Sequence, residues 1–385
     1  MALLDGLDGV PWGQLSHAYG PATDVPDLLR ALVDPERALP GVRKAAERED
    51  KTIRQEVIWR LYGNVFHQGT VWQVTPHVIP FFVEILADGP RDAELKRFVL
   101  EYLHHLALGY PQDMFPELVD PASHFAAADA PREDTEDPID PSIMAGYARD
   151  CYRGVEAALP VIARFATDVD PTVALEAIAV LASFRSEVSI ATLRRVVEQQ
   201  EGRRLAVALV ALAQLDPATT VPRARDLLGD RDPYTAVHAA AALVLAAPDH
   251  VPEDAVHVLT QPLDDLVEEI SPMTASVGKL VSACLARLPA RHVERVVRAI
   301  AGSLASSNAM TNLASTSSLL ELVLADGAPS DASELTSLQR TALELVVEHG
   351  AFDADGIEFG NYSLLLFDFG LPGSRDKLKA WLAGT

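Results

Sequence analysis

Apolar residues recur along this chain at the three- and four-residue spacing of a single helix face, in short stretches separated by proline and aspartate. The run from Ala158 to Arg185, A-L-P-V-I-A-R-F-A-T-D-V-D-P-T-V-A-L-E-A-I-A-V-L-A-S-F-R, predicts two amphipathic helices around an Asp-Pro turn. Its first half recurs. Pro160 is followed eight residues later by Asp168, and the same pair stands at Pro26/Asp34, Pro80/Asp88 and Pro222/Asp230. Pro160 and Pro222 are 62 residues apart, twice 31, and the midpoint, Ala191, opens a similar stretch, A-T-L-R-R-V-V-E-Q. A period near 31 with two helices per unit predicts an all-α chain: an α-solenoid, a superhelix of stacked helical hairpins.

Proline costs little in the first turn of a helix, where its missing amide hydrogen would have no intrahelical partner. Pro26, Pro80, Pro160 and Pro222 are therefore expected to open first helices. Asp170-Pro171 and Asp232-Pro233 are expected to cap and start second helices. The alanines at 174, 177, 179 and 182 let neighbouring helices approach closely.

In chain order, residues 1–25 read as an irregular lead-in. A helix over 52–66 carries one stripe of Ile53, Val57, Ile58, Leu61 and Val65. Gln55, Trp59, Tyr62 and Phe66 lie on its other side, either as an aromatic wall on a concave surface or as a second buried face. His67 to Trp72 breaks that helix, and the next second helix spans about 91–108. The stretch 110–150 is acidic and rich in proline and alanine, and is expected to be an insertion, least ordered around P-R-E-D-T-E-D-P-I-D-P. This divides the chain into repeats over 1–109, an acidic insertion over 110–150, and an array over 151–385 closed by a helical cap. Residues 303–318, rich in Ser, Thr and Asn, read as a polar connection or a wet helix start.

Composition narrows the function. The net charge is −23 across 385 residues, which disfavours nucleic acid as a partner and suits a basic protein or peptide. Two cysteines far apart imply no disulfide framework. The N-terminus lacks the basic region of a signal peptide, and no apolar run approaches the length of a membrane span, so a cytoplasmic protein is expected.

The period, the early proline, the Asp-Pro turn and the alanine-rich second helices resemble HEAT-like (armadillo-type) repeats over about 22–348. The words S-H-A-Y-G-P-A-T-D-V-P-D-L-L-R-A-L and G-N-V-F-H-Q-G-T-V-W-Q-V-T-P-H-V-I-P-F-F resemble a bacterial group of HEAT-repeat proteins known mainly by fold. That resemblance implies a protein-binding scaffold. Some relatives act on small molecules or nucleic acid, among them bilin lyases and alkylpurine DNA glycosylases, but a glycosylase would need a basic concave face.

Phosphate loops, nucleophile elbows and zinc motifs are absent from the sequence. Glu101-x-x-His104 has the spacing of one half of a di-iron site, but no second such pair occurs, so neither metal nor cofactor is expected. The candidate site is instead a convergence of His17, Tyr19, Trp59, Tyr62, His67, Gln68, Trp72, His104 and His105. Stacked repeats would bring these residues together as a ligand-binding pocket. The leading expectation is a non-enzymatic scaffold that grips a basic protein or peptide with an acidic concave surface, in an immunity-type or regulatory role. The alternative is an enzyme of small-molecule metabolism acting on a small apolar substrate, with His67 and His104 as acid–base groups. The competing structural reading is that His17 and His67-Gln68 cap helix ends.

Overall fold

The computed structural model describes residues 3–90, 92–111, 115, 117–129, 140–354 and 356–384. These are mostly helical, with nineteen helices among the described residues, and helices pack on their sequence neighbours as in a solenoid-like all-α fold. The chain forms two compact units, 1–193 and 194–385.

The first unit holds α1 (Val25–Val33), α2 (Pro40–Arg48), α3 (Ile53–Asn64), α4 (Thr75–Asp88), α5 (Ala93–Leu108), the one-turn α6 (Pro121–His124), the long α7 (Pro141–Ile162) and α8 (Pro171–Ala182). The division falls within α9 (Glu187–Gln199). Here α1 packs on α3, α4 on α5, α7 on both α4 and α5, and α5 on α8. Two small antiparallel hairpins are set between these helices: β1 (Ser16–His17) with β2 (Gly20–Pro21), and β3 (Phe66–His67) with β4 (Thr70–Val71). The second hairpin turns at Gln68-Gly69, both at positive φ, as a tight two-residue turn requires.

The second unit continues with α10 (Gly202–Ala213), α11 (Pro217–Asp226), α12 (Pro233–Ala246), α13 (Glu253–Leu259), α14 (Val277–Leu285), α15 (Val293–Leu304), α16 (Ala309–Val323), α17 (Ser337–His349), α18 (Gly360–Asp368) and α19 (Arg375–Ala383). A third hairpin, β5 (Asp353–Ala354) with β6 (Ile357–Glu358), precedes α18. Here α10 packs extensively on α12, and every residue from Leu205 to Ala213 is buried. The alanines at 206, 208, 211, 239, 240, 241 and 242 permit it, since each lacks the bulk that would hold two backbones apart.

Three of the expected helix starts are corrected. Pro26 does lie in the first turn of α1, but Pro80, Pro160 and Pro222 sit inside α4, α7 and α11. Each removes one helical hydrogen bond, and the loss is tolerated because Pro80, Pro160 and Pro222 are all exposed, so water reaches the backbone. Asp-Pro pairs set the true starts. The Asp140 carboxylate accepts from the amides of Ser142 (2.8 Å) and Ile143 (3.3 Å), and Asp170, Asp216 and Asp232 cap α8, α11 and α12 in the same way. Within 110–150, helix thus resumes at Pro141, and Phe125 is buried against Tyr152. The expectation for 131–139 lies outside the described residues.

The Ser/Thr/Asn-rich stretch is also corrected. It enters α16, which buries Thr311, Asn312, Ser315 and Thr316. Their polar atoms pair across helices: Thr311 with Ser276 (3.0 Å), Ser315 with Ser282 (2.8 Å) and Thr316 with Tyr362 (2.9 Å). Asn312 Nδ2 donates to the carbonyls of Leu304 and His349, and its Oδ1 accepts from the amide of Ala351. Sequence polarity there marks an internal seam.

Replacing Asp170 or Asp232 by alanine is expected to lower unfolding stability by about 1 kcal/mol each. Pro160→Ala should raise it by about 1 kcal/mol or more, because it restores an interior helical bond. Urea midpoints measure both effects. A Pro160→Ala loss as large as that of the cap variants would contradict this assignment of helix starts.

Candidate functional site

The first two hairpins lie against each other. The Ala18 amide donates to the Asn64 carbonyl (3.1 Å), and the Val74 amide to the Ser16 carbonyl (3.1 Å). His17 is buried here. Its Nδ1 accepts the Tyr19 amide (3.0 Å), so the ring proton sits on Nε2 and is donated to Asp24 Oδ1 (3.0 Å). The other Asp24 oxygen accepts from Asn64 Nδ2 (2.7 Å). His17 therefore locks the hairpin in one tautomer. The exposed Tyr19 ring meets His67 edge-on at 5.4 Å. His67 donates through Nδ1 to the Gly63 carbonyl (3.0 Å) at the end of α3. Gln68 is an exposed turn residue.

A second group forms on α3 and α5. The Tyr62 hydroxyl and His105 Nδ1 are 2.9 Å apart. Burial, with Glu101 and Glu176 adding to it, pushes the Tyr62 phenol well up, so the hydroxyl keeps its proton and donates. His105 stacks parallel on Phe66 at 5.7 Å, and Tyr110 meets both rings edge-on. On α5, Arg97, Glu101 and His105 are spaced by four and share one side of the helix. Arg97 Nη1 donates to Glu101 Oε2 at 2.9 Å. Beside them stands Glu176 of α8, half-buried, its carboxyl pushed up to about 7 by burial and then by Glu101, with Arg97 opposing.

Three further candidates stand apart. His104 turns to α8, where its Nε2 lies 2.7 Å from Ser183 Oγ, and burial, with His105 adding to it, lowers its pKa to about 3. No hydrogen bond or ring contact joins it to His67 among the described residues. Trp59 is exposed with Lys51 above its ring at 5.1 Å, so it forms no wall with Tyr62 and Phe66. Trp72 is half-buried, its amide donating to Thr75 Oγ1 (2.7 Å), and its indole nitrogen has no partner among the described residues. The structure thus brings together His17, Tyr19 and His67, and separately Tyr62 and His105.

Sequence reasoning did not single out Glu176, nor His238 in the second unit. His238 is fully buried, stacks on Tyr234 at 4.0 Å, and donates through Nδ1 to the Tyr234 carbonyl (2.8 Å). Burial lowers its pKa to about 4. A polar residue inside an otherwise apolar, alanine-rich helix was the available signal. A cavity of about 960 Å³ in the second unit, bordered by Arg291, Arg295 and Arg298, was likewise not foreseen. Its signal was R-H-V-E-R-V-V-R in an acidic chain.

No protein-family profile matches this chain, and no curated protein does. Among solved structures, it is similar to a crystal structure of an engineered protein from a structural genomics consortium. That match has 16% identity and a TM-score of 0.28, and covers 80% of this chain and 88% of the other. The fold defines the class, an all-α protein of solenoid-like helical repeats. No helix among the described residues is long and apolar enough to cross a membrane.

These shifts give stability a composite pH dependence. His104 and His238 have folded pKa values below their ordinary 6.5, so the unfolded chain binds more protons and stability falls as pH drops from about 6.5. Each contributes a slope of about 1.4 kcal/mol per pH unit until its folded pKa is reached. Glu176 acts oppositely. Its folded pKa of about 7 exceeds the ordinary 4.5, so its contribution is full at acid pH and lost as pH rises through 7. Glu176→Gln should therefore stabilise the protein at pH 8 by about 2 kcal/mol and change little at pH 4, and His238→Phe should flatten the acid slope. Denaturation series at pH 4 and pH 8 test both, and an equal effect of Glu176→Gln at both values would refute its assignment.

Proposed function

We propose that this chain is a HEAT-like helical-repeat scaffold, non-enzymatic, that binds a basic protein or peptide in a bacterial cytoplasm in a regulatory or immunity-type role. What supports the reading is the surface shared by α3, α5 and α8. There Glu101, bonded to Arg97, and Glu176 stand together beside the Tyr62–His105 pair. A cation from a partner would offset the burial and the Glu101 charge that raise the Glu176 carboxyl, and the aromatic rings offer apolar contact next to it. The net charge of −23 would speed the approach of a basic partner and oppose nucleic acid.

The alternative, an enzyme acting on a small apolar molecule, draws on one observation. His67 commits only its Nδ1, and the exposed Tyr19 lies against the same ring. The other imidazoles of the set are engaged in internal bonds: His17 with Asp24, His104 with Ser183 and His105 with Tyr62. Acid–base chemistry would fall to His67 by itself, which makes binding the better-supported function.

An arginine-rich synthetic peptide titrated into the full chain by calorimetry is expected to bind, and to weaken steeply as salt rises. Glu101→Gln with Glu176→Gln should weaken it roughly tenfold with the fold unchanged, in keeping with the loss of one charge-assisted contact. Peptide binding indifferent to both salt and these substitutions would remove the acidic-surface reading.

A further inference from the structure

The cavity in the second unit is unlike the rest of this acidic chain. It opens between α13, the segment 260–264, α14 and α15, with a volume of about 960 Å³. Its floor is apolar: Leu259, Leu263, Leu285 and Ile300 line it and are themselves buried. Its mouth carries Arg291, Arg295 and Arg298, spaced by four and three residues and so presented along one side of the chain where it enters and follows α15.

The three guanidinium groups are not equivalent. Arg295 is engaged, with Nε donating to Thr260 Oγ1 (2.8 Å) and Nη1 lying 3.6 Å from Glu253. Arg291 and Arg298 are exposed and have neither an ion pair nor a hydrogen-bond partner among the described residues. Two carboxylates, Asp264 and Glu294, share the lining, and neither is paired with these arginines. In a chain with 55 acidic and 32 basic residues, this lining carries three arginines against two carboxylates, and Arg291 and Arg298 are the cations left uncommitted.

We propose that this cavity binds a small amphipathic carboxylate, an acyl or aryl acid. Arg298 and Arg291 hold its carboxylate at the mouth, and its apolar body lies on the leucine floor. A guanidinium matches a carboxylate with two parallel N–H donors, and the hollow lies at the upper end of the size range of small-molecule sites. A polyanion would feel the repulsion of the whole chain, whereas a single small anion meets chiefly the local field. The proposal does not rest on the acidic surface of the first unit, and its test leaves that surface untouched.

The probe is dodecanoate, titrated into the full chain by calorimetry, with dodecanol and dodecyltrimethylammonium as neutral and cationic counterparts of the same length. Dodecanoate is expected to bind, and the counterparts at least roughly tenfold more weakly. Arg298→Ala should weaken dodecanoate roughly tenfold, and Arg298→Lys less, since lysine keeps the charge and loses the fork. Gly302→Trp should weaken all three amphiphiles without lowering the unfolding midpoint, because Gly302 lines the cavity and is exposed, and a Cβ added there meets no atom within 4 Å. The proposal is overturned by absence of dodecanoate binding. It is equally overturned if dodecanol binds as tightly as dodecanoate, or if Arg298→Ala and Arg291→Ala leave the affinity unchanged.

Discussion

A two-helix hairpin has an apolar side that it cannot keep from water, and only the next hairpin can cover it. The rest of this structure depends on that need. It is most visible in α10 and α12, where unbroken runs of buried residues leave these helices almost no wet face. Helices so enclosed must resemble neighbouring backbone in size, hence the alanines. They must also end their own hydrogen-bonding locally. An aspartate just ahead of a proline does this: its carboxylate satisfies the amides of the first turn, and the proline presents none of its own.

The same enclosure decides the fate of the polar side chains caught inside. His104 and His238 lose their hydration and become neutral, and each has a hydrogen bond from one ring nitrogen. The hydroxyls and amide of α16 find each other and the neighbouring helices, so a polar stretch becomes a buried seam. Glu176 is the opposite case. It stands half-buried beside Glu101, and burial and that neighbouring charge together outweigh Arg97 and raise its carboxyl.

Charge in this protein is therefore local as much as global. A net −23 predicts how the chain meets a basic macromolecule at a distance. It says nothing about a cavity whose mouth holds three arginines from a single short stretch. The two proposals call for ligands of opposite sign, and the residues they rest on belong to separate units of the chain.

The sequence by itself determined the class of fold and many of its joints. Helical periodicity, a repeat near 31 residues and the Asp-Pro caps at Asp170 and Asp232 are local properties, set by backbone sterics and by nearby side chains. The same local logic misplaced Pro80, Pro160 and Pro222, because a proline inside a helix is tolerated only where water reaches the backbone, and exposure is not written in the spacing. Tertiary structure alone decided which histidines share a surface. His104 and His105 are adjacent in sequence yet face Ser183 and Tyr62, since neighbouring residues on a helix point about 100° apart and different partner helices cover each direction. It alone also set Glu176 of α8 beside Glu101 of α5 and laid the leucine floor beneath Arg298, because burial, and the energy it assigns to a charge, depends on segments distant in the chain.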